Sequence, residues 1–198
     1  MKLSIDTHHQ NLYQETIDLH LIYSFKGSPM IFIVFGLPGS GKSFFAEHFA
    51  TEMNAKYISS DTLRKEIFDK RTYTAKEKEM VYDEMLLQTI KETQQNKNVV
   101  LDATFYKKAI RKKFIDELEN FDEVIFIEVR AVESLIKERV QKVRENSEAD
   151  FEVYKKMKTE WEALMEEHLI LESTNDNIKE MLEKTSHYLN ITNDKETN

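Results

Sequence analysis

Three of the four glycines in this 198-residue chain fall within eight positions, Gly36-Leu37-Pro38-Gly39-Ser40-Gly41-Lys42-Ser43. The run fits G-x-x-x-x-G-K-[ST], a pattern whose residue types suit the holding of a polyphosphate. Its glycines let the backbone turn successive N–H groups inward onto phosphate oxygens. Lys42 would reach the β- and γ-phosphates, and the Ser43 hydroxyl would ligate Mg²⁺. ATP and Mg²⁺ are therefore the expected cofactors, with Ser40 and Phe44 also placed against the nucleotide. By chance alone the pattern arises in roughly one chain of this length in a hundred. Its setting makes chance a poorer explanation. An apolar run at 30–35 precedes it, and a helix predicted over 42–53 follows, its N-terminus aimed at the same anion.

Further along, Ser59-Ser60-Asp61 follows a short predicted strand, with Arg64 three residues on. A carboxylate there can orient a nucleophile as its proton leaves, and Arg64 can grip a phosphate or carboxylate with two hydrogen bonds. The plainer reading makes Asp61 the N-cap of a helix beginning at Thr62, and Arg64 a surface residue. Asp102 ends the run Val99-Val100-Leu101, where a carboxylate can hold Mg²⁺ through water or contact an acceptor beside Thr104. It can equally cap the next turn. Arg111 stands among Lys107, Lys108, Lys112 and Lys113, a run that reads as a solvated helix face before it reads as an acceptor contact. Arg139 and Arg144 lie on or just after another predicted helix, where Glu138 and Lys142 also form an ordinary i,i+4 pair.

The elements that must position these groups alternate. Strands are predicted at 30–35, 56–58, 99–101, 124–129 and 169–171, the first apolar without alternation, as a strand buried on both faces should be. Helices are predicted at 42–53, 61–70, 74–95, 107–120, 132–144, 151–168 and 177–189. Phe44, Phe45 and Phe49 read as the core face of the first of these. Trp161, Leu164 and Met165, at helical spacing, read as packing. Such alternation implies parallel βαβ units in one α/β domain over 29–191, with an N-terminal extension at 1–28 and a polar tail at 192–198. Leu12, Ile17, Leu19, Ile22 and Tyr23 suggest a short amphipathic helix in the extension.

Composition narrows the function classes. The chain has 40% hydrophobic and 32% charged residues, and no cysteine, so it forms no disulfide and no thiolate zinc site. Its longest apolar run is too short to cross a bilayer, and no secretory leader is recognisable, which leads to the expectation of a soluble cytoplasmic protein. A net charge of −8 gives no overall attraction to nucleic acid or anionic lipid. The six scattered histidines suggest no metal site built from protein ligands alone.

Six pieces in the same order resemble the P-loop kinases related to polynucleotide kinase and zeta-toxin-type proteins, which carry AAA-like ATP-binding domains. They are GLPGSGKS at 36–43, SSDTLRKEIF at 59–68, VVLDATF at 99–105, Arg111, ERVQKVRENSEADFEVY at 138–154 and HLILEST at 168–174. The resemblance implies a P-loop NTPase three-layer α/β sandwich with a five-stranded parallel sheet and a helical lid. It also implies that Lys42 and Asp61 are catalytic, Asp61 taking the proton of an attacking hydroxyl. Arg64, Asp102, Thr104 and Arg111 would contact the acceptor, and Ser43 and Asp102 the metal. Arg139 would stack on adenine and Arg144 would be the catalytic lid cation, although a one-residue shift in spacing makes Lys142 a competitor. The function so implied is an ATP-dependent kinase acting on a nucleic-acid 5′-hydroxyl or a small molecule. A nucleotide-dependent binding module or switch with weak ATPase activity is the alternative, and a toxin-system component would differ in role rather than chemistry.

Overall fold

The computed structural model describes residues 29–118, 123–141 and 150–196. Strand β1 (Met30–Phe35) is buried along its whole length and lies in the middle of the sheet. Its side chains alternate between two cores, as a strand with a two-residue period must. Met30, Phe32 and Val34 pack with Phe45 and Phe49 of α1 (Lys42–Glu52) and with Met181 and Leu189 of α7 (Ile178–Glu196). Ile31, Ile33 and Phe35 pack on the other face with Val81 and Met85 of α3 (Ala75–Thr93) and Phe114 of α4 (Lys108–Glu117). An apolar run without alternation is thus the signature of helices on both sides.

The remaining strands are β2 (Lys56–Ser59), β3 (Val99–Ala103), β4 (Glu123–Arg130) and β5 (Leu169–Glu172). All pair in parallel, in the order β2-β3-β1-β4-β5. This is the expected three-layer α/β sandwich with its five-stranded sheet. The order of strands changes direction at β1, so connections leave its carboxyl end toward opposite sides of the sheet and open a crevice there. Register fixes what faces that crevice. Asp102 lies opposite Val34 on one side and Ser59 on the other. The glycine-rich loop, Asp102 and the start of α2 (Ser60–Ile67) therefore share one edge.

Five expectations differ from the structure. Helix α6 (Phe151–Thr159) stops well short of 168, and residues 160–168 cross to β5 without helical structure. Trp161 and Leu164 pack as expected, but from that crossing: the indole stacks on Phe35 at 5.9 Å with planes 6° apart, while Met165 is exposed. Helix α2 begins at Ser60, so Ser59 occupies the cap position and Asp61 sits in the first turn. Phe44 is 57% exposed, leaving Phe45 and Phe49 as the buried face of α1. Helix α7 also continues to Glu196, through most of the expected tail. Helix α5 (Glu133–Gln141) precedes the residues that carry Lys142 and Arg144, which lie outside the described residues, as does the helix expected within 1–28. Among the described residues, no helix is long and apolar enough to cross a membrane.

Candidate active site

The loop 36–43 curls as a phosphate cradle should. Ser40 N donates to the Leu37 carbonyl at 3.1 Å, and Gly41, at φ 95°, caps α1 in a left-handed conformation that costs a side-chain-bearing residue dearly. Gly36 is demanded by space: a Cβ there would lie 2.3 Å from the Val129 carbonyl oxygen of β4. The backbone is thereby pressed onto the sheet edge, and Lys42 projects into a cavity of about 270 Å³. Ser40 Oγ is buried without a hydrogen-bond partner.

Asp61, Arg64, Asp102 and Thr104 line the same cavity as Lys42. Asp102 is 2% exposed, and its Oδ2 accepts from the Tyr57 hydroxyl at 2.8 Å. Its Oδ1 has no partner. Burial, then the adjacent Asp102 charge, raises the Tyr57 phenol well above its ordinary value, so it remains a donor. Thr104 sits within 3.4 Å of the Tyr82 hydroxyl, which also accepts from Phe105 N at 3.2 Å.

Arg64 is buried, and its Nη1 donates to Glu77 Oε1 at 3.1 Å while the guanidinium lies 4.9 Å from the Tyr73 ring centroid. Glu77 is held in turn by Thr72 N, Thr72 Oγ1 and Tyr73 N, at 2.8, 2.7 and 2.7 Å from Oε2. Burial opposes its ionisation, but these bonds and Arg64 outweigh it and bring its pKa down to about 2. Arg64 Nε remains without a partner. The cation is fixed through Nη1 and lines the cavity.

A family model described as an AAA domain, AAA_33, matches residues 31–164, which contain every one of these groups. The chain belongs to this AAA domain family. No curated protein matches it in sequence. Among solved structures, this AAA domain is similar to a sugar kinase from Janibacter sp. HTCC2649, at 17% identity and a TM-score of 0.63 over 82% of this chain and 95% of that one. It is likewise similar to the APS kinase CysC of Mycobacterium tuberculosis in complex with AMPPNP and APS, at 13% identity and a TM-score of 0.65 over 82% and 98% of the two chains. A chain of the Pnkp1/Rnl/Hen1 RNA repair complex matches at 25% identity and a TM-score of 0.56, over 67% of this chain but 44% of that one. The fold is that of P-loop kinases.

Not every residue predicted for the site is brought to it. Arg111 of the AAA domain lies on neither a solvated face nor the cavity wall. It is 1% exposed, and its guanidinium donates to the carbonyls of Phe105 at 2.7 Å, Glu162 at 2.6 Å and Ala163 at 3.2 Å. It staples the β3–α4 connection to the crossing after α6. Phe44 does not line the cavity; its ring lies 4.4 Å from that of His48. Arg139 ties the cradle to the turn after β5. Its Nη1 donates to Ser40 O at 3.2 Å and Ser173 Oγ at 3.1 Å, and its Nη2 to Thr174 O at 2.5 Å.

Sequence reasoning missed Lys78, Tyr73, Tyr106 and Lys156, all in the cavity wall. For Lys78 a signal existed: it precedes Val81, Tyr82 and Met85 by three, four and seven residues, a lysine on the apolar face of a helix.

Proposed function

We propose that this AAA domain is an ATP-dependent kinase that transfers the γ-phosphoryl group to a hydroxyl of a small molecule or a nucleic-acid end. The convergence of Lys42, Asp61, Arg64 and Asp102 on one walled cavity carries this reading. A module that only bound and slowly hydrolysed ATP would need the cradle, but not an acceptor space with a carboxylate on its wall. A cytoplasmic setting, where ATP is the abundant donor, belongs to the same proposal.

In this reading the amides of loop 36–43, with Ser40 among them, hold the β- and γ-phosphates, and Lys42 offsets the charge that builds on the bridging oxygen. Asp61 accepts the proton of the acceptor hydroxyl as the new O–P bond forms, the bond to the β-phosphate oxygen breaks and ADP leaves. Arg64 orients the acceptor beside Thr104. Arg139 braces the nucleotide side. The lid cation, Arg144 or Lys142, would come from the segment after α5, and Arg111 acts only through the loops it joins. A divalent cation fits the donor set, because Asp102 keeps one buried oxygen without a partner and Ser43, in the first turn of α1, offers a hydroxyl. Held by Ser43 and Asp102, Mg²⁺ would supply neutralising charge for the phosphates.

Incubation with labelled ATP and pools of oligonucleotides, sugars and nucleotide-sugars tests the proposal. One pool should take up label, Lys42→Ala should lose most turnover, and Asp61→Asn should lose transfer by about 10²- to 10⁴-fold while still binding ATP. Undiminished transfer by Asp61→Asn would remove it as the base.

A further inference from the structure

Two cations in the cavity wall have no role in that mechanism. Lys78 is half-buried on α3, carried inward by the face that buries Val81, Tyr82 and Met85. Its Nζ meets Tyr106, at 3.4 Å from the hydroxyl and 5.4 Å from the ring centroid. Lys156 reaches the same cavity from α6. Among the described residues neither ammonium has a carboxylate partner. Of the other nearby cations, Arg64 pairs with Glu77, Lys107 lies 3.5 Å from Glu162 and 3.9 Å from Glu160, and Lys42 is taken by the phosphates in the kinase reading. An ammonium drawn partly out of water costs stability unless an anion compensates it. Lys78 is such a group, and the exposed Lys156, on a helix far away in sequence, faces the same space.

We infer that the acceptor carries an anionic group besides its hydroxyl, a phosphate monoester or a carboxylate, and that Lys78 and Lys156 hold this anion. The inference rests on the kinase reading and adds a substrate class to it. Tyr106 and Thr104 line the same cavity, and the Tyr106 ring already stabilises the Lys78 ammonium. Asp61, on the wall of the same cavity, takes the hydroxyl in the kinase reading. A neutral acceptor would leave both ammonium groups without a counter-charge, so the pair selects against it.

Matched acceptors that differ in one anion test the inference: adenosine against adenosine 3′-monophosphate, and glucose against gluconate. Transfer from labelled ATP is measured for each, together with calorimetric binding of each compound to the protein loaded with AMPPNP and Mg²⁺. At least one anionic member should be preferred by about tenfold or more in kcat/KM, the effect of one charge-assisted hydrogen bond. Its partner shows which anion fits. Lys78→Ala and Lys156→Ala should each raise its KM about tenfold. The double variant should lose the preference, and Lys78→Arg should retain most of it. Binding of an anionic member that the double variant lacks, with no label transferred, would support the subsite and sink the kinase reading. Equal use of neutral and anionic members, a preference that survives the double variant, or no binding of either anion would overturn the subsite.

Discussion

Tyr57 donates its hydroxyl to Asp102 across 2.8 Å and so fixes one oxygen of a buried carboxylate while the other stays without a partner. The bond sets how Asp102 faces the cavity, as outer-shell partners do for ligands of a metal. Tyr57→Phe removes the donor and keeps the ring. We expect the Mg²⁺ concentration for half-maximal ATP turnover to rise on the order of tenfold, with the far-ultraviolet circular dichroism unchanged. An unaltered Mg²⁺ requirement would separate Asp102 from the metal or Tyr57 from Asp102.

Glu77 makes stability depend on acid in a definite direction. Its pKa falls from an ordinary 4.5 to about 2, because bonds from Thr72, Arg64 and Tyr73 outweigh the cost of its burial. The folded chain therefore binds this proton more weakly than the unfolded chain does. The contribution is complete above about 4.5 and drains away as pH falls through about 2. Urea midpoints at pH 5.5 and pH 3 should drop further for the wild type than for Glu77→Gln. Parallel drops would show that the network does not bias folding.

Much of this was legible because the physics was local. The run at 30–35 had to be buried on both faces, and the loop after it had to curl. Asp61 and Asp102 then reached one edge through register alone, since Ser59 and Val34 both stand opposite Asp102. What escaped was decided by distant contacts. Residues 160–168 contain neither glycine nor proline and read as helix. They leave it because Trp161 docks on Phe35, Glu162 N donates to Tyr106 O, and the Glu162 and Ala163 carbonyls take Arg111. Arg111 was hidden for the matching reason: four lysines around it look like solvent-facing neighbours, and only the fold turns it inward.

Gly36→Ala should damage stability and nucleotide binding together. Its Cβ would meet a strand carbonyl, Val129 O, at 2.3 Å, and the Ser40 hydroxyl at 2.9 Å. A sheet carbonyl cannot swing aside, so the loop must shift instead. Overpacking of this kind costs about 1–3 kcal/mol, which lowers the melting temperature of a chain this size by roughly 2–10 °C. Calorimetric titration with AMPPNP should show little remaining heat. A variant that melts and binds like the wild type would place the loop farther from β4 than the structure does.

Arg139 supports a sharper prediction, because its five-donor fork cannot be imitated by a point charge. Nη1 contacts Ser40 O at 3.2 Å and Ser173 Oγ at 3.1 Å, while Nη2 contacts Thr174 O at 2.5 Å and Asn175 Oδ1 at 3.3 Å. Burial lowers its pKa and Glu138 partly restores it, yet a guanidinium stays charged throughout the assay range. The side chain thus joins both walls around the proposed nucleotide: the cradle on one side and the turn after β5 on the other. Arg139→Ala should raise the KM for ATP about tenfold with little change in kcat, since what is lost is ground-state positioning and not charge on the reacting phosphoryl group. Arg139→Lys should recover little, because one ammonium cannot reach both walls. A fall in kcat at unchanged KM would instead assign Arg139 to the transition state, as a lid cation in its own right.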